Sequence, residues 1–150
     1  MKPSDLPNPR DFRCHLPIQV RFADLDRLGH VNNATYQQYY DLGRLAYFDM
    51  LPASRPDWNG RVPVIAHLEL DFLAPVTMRN QVAVCTRVVH VGERSFQFEQ
   101  LLYRPGAEPR IYARCLSVMV GFDTQQATSA PLPDGWKEAI VAFERLPRNP

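Results

Sequence analysis

Little in the chain commits it to a membrane, an oxidising compartment or a nucleic-acid partner. No stretch approaches the roughly 20 apolar residues that span a bilayer, and the opening MKPSDLPNPRDFR lacks the apolar core of an export signal. Cysteine is scarce: Cys14, Cys85 and Cys115 form no C-x-x-C pair, and an odd number leaves a thiol unpaired outside a reducing compartment. A soluble, cytoplasmic protein is therefore expected. Charge of either sign is not in excess, with 17 basic against 16 acidic side chains. Neither nucleic acid nor an anionic membrane is an expected partner, and any anion site must be local. His15, His30, His67 and His90 show no H-E-x-x-H or Cys/His ligand spacing, so no metal is expected. No G-x-S-x-G elbow supports a serine nucleophile. Cys85 and Cys115 fall in strand patterns, where packing is the expected role of a thiol.

What is present fits one domain over residues 1–150, because a chain of 150 residues is too short for two ordinary cores. Fourteen prolines sit mainly in the first ten residues, in 52–63, and from Pro131 onward, so they punctuate elements. Residues 1–12 read as a loose arm. His15 to Phe22 is a short β run, and Asp24 to Asn33 reads as a loop. From Ala34 to Leu51 the pattern turns helical: Tyr36, Tyr39, Tyr40, Gly43, Ala46, Tyr47 and Met50 recur at steps of three and four. Pro52, Pro56 and Gly60 are expected to close that helix. Gly43 in mid-helix costs up to about 1 kcal/mol relative to alanine, which close approach of helix to sheet explains.

From Val62 to Phe122 the pattern is β. Val64, Ala66, Leu68, Leu70 and Phe72 alternate with Ile65, His67, Glu69 and Asp71, and His67 and Glu69 are expected to face solvent or an interface. Val82 to Val91, a Gly-Glu-Arg turn and a strand through Phe96, Phe98 and Leu102 form a hairpin. Tyr112, Leu116, Val118, Val120 and Phe122 line one face of a last long strand, and the tail 131–150 carries a small helix marked by Trp136, Ile140 and Phe143. This order implies an α+β fold, an antiparallel sheet with helices on one side. Val82 to Val91 is apolar on both faces, more than one helix layer can cover, so a homodimer is the minimum expectation.

Polar groups converge in RFADLDRLGHVNNATYQQYYDLGR, from Arg21 to Arg44. A helix start leaves amide hydrogens unpaired beside a partial positive charge, which can hold a carbonyl oxygen. A carboxylate just upstream can attack that carbonyl or activate water. Aspartate also caps turns, and an arbitrary aspartate pair would be read that way first. Asn32 and Asn33 likewise suit a helix N-cap. The tyrosines suit core packing, with Tyr36 at the helix start also placed to meet an acyl group.

The stretch Asp24 to Tyr36 matches D-x-D-x-x-G-H-V-N-N-x-x-Y, and it resembles the hotdog acyl-CoA thioesterases of the 4-hydroxybenzoyl-CoA thioesterase type. Leu70 to Met78 (LDFLAPVTM) resembles that family's second strand and turn, and the element order extends the likeness to about Phe122. The resemblance implies a hotdog fold, about five antiparallel strands wrapped around one long helix. It implies hydrolysis of acyl-CoA thioesters, with Asp26 as nucleophile or general base and the backbone amide of Asn33 binding the thioester oxygen. Asp24 is then structural, holding its neighbour's loop. His30 is a lesser catalytic candidate, as orienter of water or donor to substrate.

Asn32, Tyr36 and Arg94 are the expected substrate contacts. Arg94, in the Gly-Glu-Arg-Ser turn, is placed to meet a CoA phosphate, with Arg87 and Arg114 as alternates. No cofactor is expected, since coenzyme A belongs to the substrate. A homodimer or homotetramer is the expected assembly. Two other readings stay open: a hotdog hydratase or dehydratase, whose acid/base pair stands five positions apart where Asp26 and His30 stand four apart, and a non-catalytic module binding acyl-CoA or acyl-carrier protein.

Overall fold

A computed structural model of the chain describes residues 6–51 and 60–147. Strand β1 (Cys14–Ile18) leads through a short helical turn at Phe22–Asp24 to helix α1 (Asn33–Asp49). Strands β2 (Arg61–Phe72), β3 (Val82–Val91), β4 (Ser95–Arg104) and β5 (Arg110–Asp123) follow, then a two-residue strand β6 (Thr128–Ser129) and helix α2 (Trp136–Glu144). All strand pairs are antiparallel, in the order β1-β3-β4-β5-β2, with β6 on β5. Around α1 this is the hotdog arrangement. The helix ends at Asp49, while Pro52 and Pro56 lie outside the described residues. Among the described residues no helix is long and apolar enough to cross a membrane.

The tyrosine stripe makes α1 the core element: Tyr36, Tyr39, Tyr40 and Tyr47 are all buried against the sheet. Gly43 sits where helix and sheet come closest. A β-carbon there would stand 2.6 Å from Val84 Cγ1, 2.8 Å from Gln100 Nε2 and 2.9 Å from Thr86 Oγ1. Burying the amide of Gln100 at that point would be costly if it were unpaired. It donates to the Tyr40 carbonyl at 2.9 Å and to Thr86 Oγ1 at 3.0 Å, and its oxygen accepts from Arg44 at 2.8 Å. Arg44 in turn pairs with Asp41. The contact is thus close, and the Gln100 amide buried in it is hydrogen-bonded through both its nitrogen and its oxygen.

Several expectations change. The arm is not loose as far as it is described. A turn at Pro9–Asp11 is capped by Asn8, and Phe12 is buried with Ala83, Cys85, Leu101 and Tyr103 on the sheet face away from α1. The guanidinium of Arg87 lies over the Phe12 ring at 4.5 Å, and Arg87 and Arg114 both grip the buried Glu99. So the second apolar face of β3, which pointed to a partner subunit, is in large part covered from within the chain. Arg87 and Arg114, alternates for a phosphate contact, are instead committed to Glu99. In β5, Leu116, Val118 and Val120 do share one face, and it is the half-buried outer one, while Ala113, Cys115, Ser117 and Met119 turn to the core. The β2 alternation is broken by an irregularity between Ile65 and His67, and the face of Leu68, Leu70 and Phe72 is half open, with Phe72 47% exposed.

Gly43→Ala removes a helix-propensity penalty of about 1 kcal/mol but forces α1 off the sheet at an overpacking cost of about 1–3 kcal/mol. A net loss of stability in urea unfolding, with an unchanged m-value, is the expected outcome.

Candidate active site

The chain from Asp24 to Asn32 folds back on itself as a small hairpin. The Asn32 amide donates to the Asp24 carbonyl at 2.8 Å, Leu25 bridges Val31, and the Asp26 amide donates to the His30 carbonyl at 2.7 Å. The tip turns through Gly29, whose φ of +75° suits glycine. A second segment pins it: Val31 N–H donates to the Val76 carbonyl at 2.8 Å and His30 bridges Thr77. Glycine at the turn and paired backbone on both sides leave Asp26 little freedom.

Asp26 is half-buried, and its two carboxylate oxygens differ. Oδ1 accepts the amides of Leu28 at 2.8 Å and His30 at 3.2 Å, the ordinary turn-capping use of an aspartate. Among the described residues Oδ2 has no hydrogen-bond partner. One oxygen is a structural anchor and the other is available, so the turn-capping and chemical readings hold together. The His30 ring likewise has no hydrogen-bond partner among the described residues.

Asp24 is buried, with 3% of its surface exposed. Its carboxylate accepts from Arg21 N at 2.8 Å, Arg21 Nη2 at 2.8 Å and the Tyr39 hydroxyl at 2.7 Å. Burial pushes its pKa up, but the bonds from Arg21 and Tyr39 outweigh it and hold the carboxyl below its ordinary value. Every lone pair facing the protein is in use, as befits a structural residue. Tyr39 was read from the sequence only as core. A buried tyrosine hydroxyl needs a partner, and that requirement was the available signal for the Asp24–Tyr39 bond.

Asn32 is the N-cap of α1: its Oδ1 accepts the Ala34 amide at 2.9 Å and its carbonyl accepts the Thr35 amide at 2.8 Å. The Asn33 amide, at the first helical position and the positive end of the helix, has no hydrogen-bond partner among the described residues. Tyr36, one turn on, packs edge-to-face on Phe72 with ring centres 5.1 Å apart. Burial raises the Tyr36 pKa, and the charge of Asp26 raises it further, so the two share one locale. Asp26, His30, Asn32, Asn33 and Tyr36 are therefore brought together. Arg94 is not: it lies at the far end of β3, a strand of ten residues or about 30 Å, where Nη2 donates to Ser129 O and Oγ, both at 2.9 Å. All three thiols are buried, and burial pushes Cys85 to about 12 and Cys115 to about 11, which leaves neither as a thiolate near neutrality. Among the described residues no three His, Cys, Asp or Glu side chains cluster as metal ligands.

Residues 20–140, which include the hairpin, the helix and the whole sheet beyond β1, match the family model of the thioesterase-like superfamily. The chain belongs to that superfamily. This thioesterase-like protein is 36% identical to a thioesterase from Thermus thermophilus, solved in complex with coenzyme A and Zn. That match has a TM-score of 0.78 and covers 91% of this chain and 98% of that one. A putative thioesterase from Pseudomonas aeruginosa is 29% identical, with a TM-score of 0.70 over 84% of this chain and 95% of that one. The chloroplastic acyl-acyl carrier protein thioesterase ATL2 of Arabidopsis thaliana is 30% identical over 106 residues, 69% of this chain and 56% of that protein. The thioesterase-like chain thus spans little more than half the length of this plant relative.

Because the folded-state pKa of Asp24 lies below its unfolded value near 3.9, its contribution to stability is complete above that pH and is lost as pH falls through the folded value. Asp24→Asn should therefore be less stable than wild type at neutral pH, and the gap should narrow below about pH 4. Thermal unfolding of both proteins across that range measures it.

Proposed function

We propose that the protein hydrolyses acyl-CoA thioesters to free acid and coenzyme A, with Asp26 as the catalytic carboxylate. The observation that carries this reading is the divided role of Asp26: Oδ1 is fixed by two amides while Oδ2 is unpartnered among the described residues, on the hairpin that leads into the helix start at Asn33. A thioester carbonyl placed between them has its oxygen facing a preorganised donor and its carbon facing a carboxylate. As the carbonyl is attacked, negative charge builds on that oxygen, where the Asn33 amide and the helix end stabilise it. Loss of one such donor typically costs roughly 100- to 1000-fold.

As general base, Oδ2 takes a proton from water while the water oxygen bonds to the carbonyl carbon. The tetrahedral adduct then collapses, the C–S bond breaks, and the thiolate leaves with the electron pair and takes up a proton. As nucleophile, Oδ2 itself bonds to the carbon, the thiolate leaves, and water hydrolyses the resulting anhydride. His30 stands within the same hairpin to orient water or donate to substrate. Tyr36 and Asn32, through its side-chain nitrogen, border the acyl group.

A homodimer completes this reading. β2 is an edge strand of twelve residues next to the site, and its Ile65 and Phe72 are 38% and 47% exposed. Such an edge invites pairing. A two-fold axis makes two β2 strands antiparallel, which brings the Phe72 end of one subunit beside the Arg61 end of the other. Arg94 belongs to that second end, since its carbonyl accepts the Gly121 amide and Gly121 pairs with Pro63. Arg94 of the partner subunit then stands where the phosphates of a CoA bound at Asp26 would emerge. The dimer argument thus rests on the edge of β2 rather than on the second face of β3.

Thiol release from a panel of short, long and aromatic acyl-CoAs, and from acyl-carrier protein, tests the activity and names the acyl donor. Asp26→Asn should lose at least about 100-fold in kcat, whereas a variant that keeps the wild-type rate removes Asp26 from the mechanism. Arg94→Ala should raise KM several-fold for acyl-CoA with little change in kcat, because a phosphate contact is made equally in ground and transition states.

A further inference from the structure

The mechanism above uses Asp26 on the hairpin and the Asn33 amide on the helix, and their spacing is set by whatever joins those two elements. One side-chain bond crosses from the hairpin base into the body of α1: the Tyr39 hydroxyl donates to Asp24 Oδ2 at 2.7 Å, between two buried residues. Asp24 is the first residue of the hairpin, and its carbonyl holds the amide of Asn32, the N-cap of α1. A hydroxyl two turns into the helix is thereby tied, through one residue, both to the strand that carries Asp26 and to the cap that orients Asn33. Arg21 closes the same carboxylate from the solvent side. We infer that Tyr39 is a positioning residue for catalysis, fixing the hairpin against α1 so that the Asp26 carboxylate and the Asn33 amide meet one thioester carbonyl. This rests on the thioesterase reading above. Its consequence is specific: the Tyr39 hydroxyl never touches substrate, yet its loss acts on the reacting geometry rather than on binding.

Tyr39→Phe keeps the ring in the core and removes only the hydroxyl. A suitable control is Tyr47→Phe, a second buried tyrosine of α1, which packs on Phe98 and Phe143 away from the hairpin. Steady-state kinetics should show kcat of Tyr39→Phe down about tenfold or more, the size of a lost hydrogen bond to a charged group, with KM close to wild type. Tyr47→Phe should leave kcat in place. Amide hydrogen exchange gives a readout that does not depend on activity: protection at Asn32 and Asp26 should fall in Tyr39→Phe and persist in Tyr47→Phe. Unchanged kcat, unchanged protection at Asn32 and Asp26, or a kcat loss matched by Tyr47→Phe overturns the inference. Asp26→Asn run alongside separates the two claims. If it too retains full rate, or the wild type turns nothing over, the thioesterase reading has failed, and the exchange data alone still decide whether Tyr39 holds the hairpin.

Discussion

A carboxylate taken out of water must find compensation inside the protein or give up its charge, and Asp24 finds it in Arg21 and Tyr39, one partner at the end of the β1 segment and one within α1. That set of bonds is where three parts of the chain meet: the exit from β1, the hairpin from Asp24 to Asn32, and the central helix. The geometry of the site follows from it. With Asp24 fixed, its carbonyl fixes the helix cap; with the cap fixed, the Asn33 amide has a defined direction; and the two rungs beyond Asp24 fix Asp26 on the same hairpin. The motif's two aspartates thus divide the work. The buried one is saturated with donors, and the half-buried one keeps an oxygen free.

The same economy of space governs the body of the fold. α1 lies on the sheet so closely that only glycine fits at position 43, and the strands below it supply Thr86, Gln100 and Ser117 where a wider gap would take larger apolar residues. Close approach brings buried polar groups with it, and Gln100 answers by bonding to both helix and sheet. The helix is therefore held in register along its length by Gln100 and Arg44, and at its start by Asp24. A rigid helix matters here because its first free amide is part of the proposed chemistry, and a donor that shifted during reaction would stabilise the developing charge less well.

The sequence made the central elements legible for a physical reason. A helix with four buried tyrosines at steps of three and four, and a glycine at its closest point, can hardly be read otherwise, and the D-x-D-x-x-G-H-V-N-N spacing marked the hairpin and cap together. Asp24 as structural and Asn32 as cap followed from what aspartate and asparagine do at turns and helix starts. Three features were not legible. Phe12 looked like part of a proline-rich arm because nothing local reveals that a single aromatic will cover Cys85 and Leu101, which lie far along the chain. Which face of β5 turns inward was hidden as well, because the alternation of Leu116, Val118 and Val120 marks one face without saying on which side of the sheet the core lies. The Asp24–Tyr39 bond joins residues fifteen apart in different elements, and periodicity alone reports that a tyrosine is buried, never where its hydroxyl goes.

In the proposed chemistry the Asn33 amide grips one thioester carbonyl while Asp26 addresses its carbon. Isotope-edited infrared spectroscopy of a carbonyl-labelled acyl-CoA bound to Asp26→Asn, which should hold the ester without consuming it, reads that grip directly. A carbonyl stretch shifted to lower frequency than in water is the predicted result, since a preorganised donor at a helix start polarises the bond more than solvent does. A stretch at or above the aqueous frequency would contradict the account, because the carbonyl would then lie away from the helix end and the free oxygen of Asp26 would have nothing to act upon.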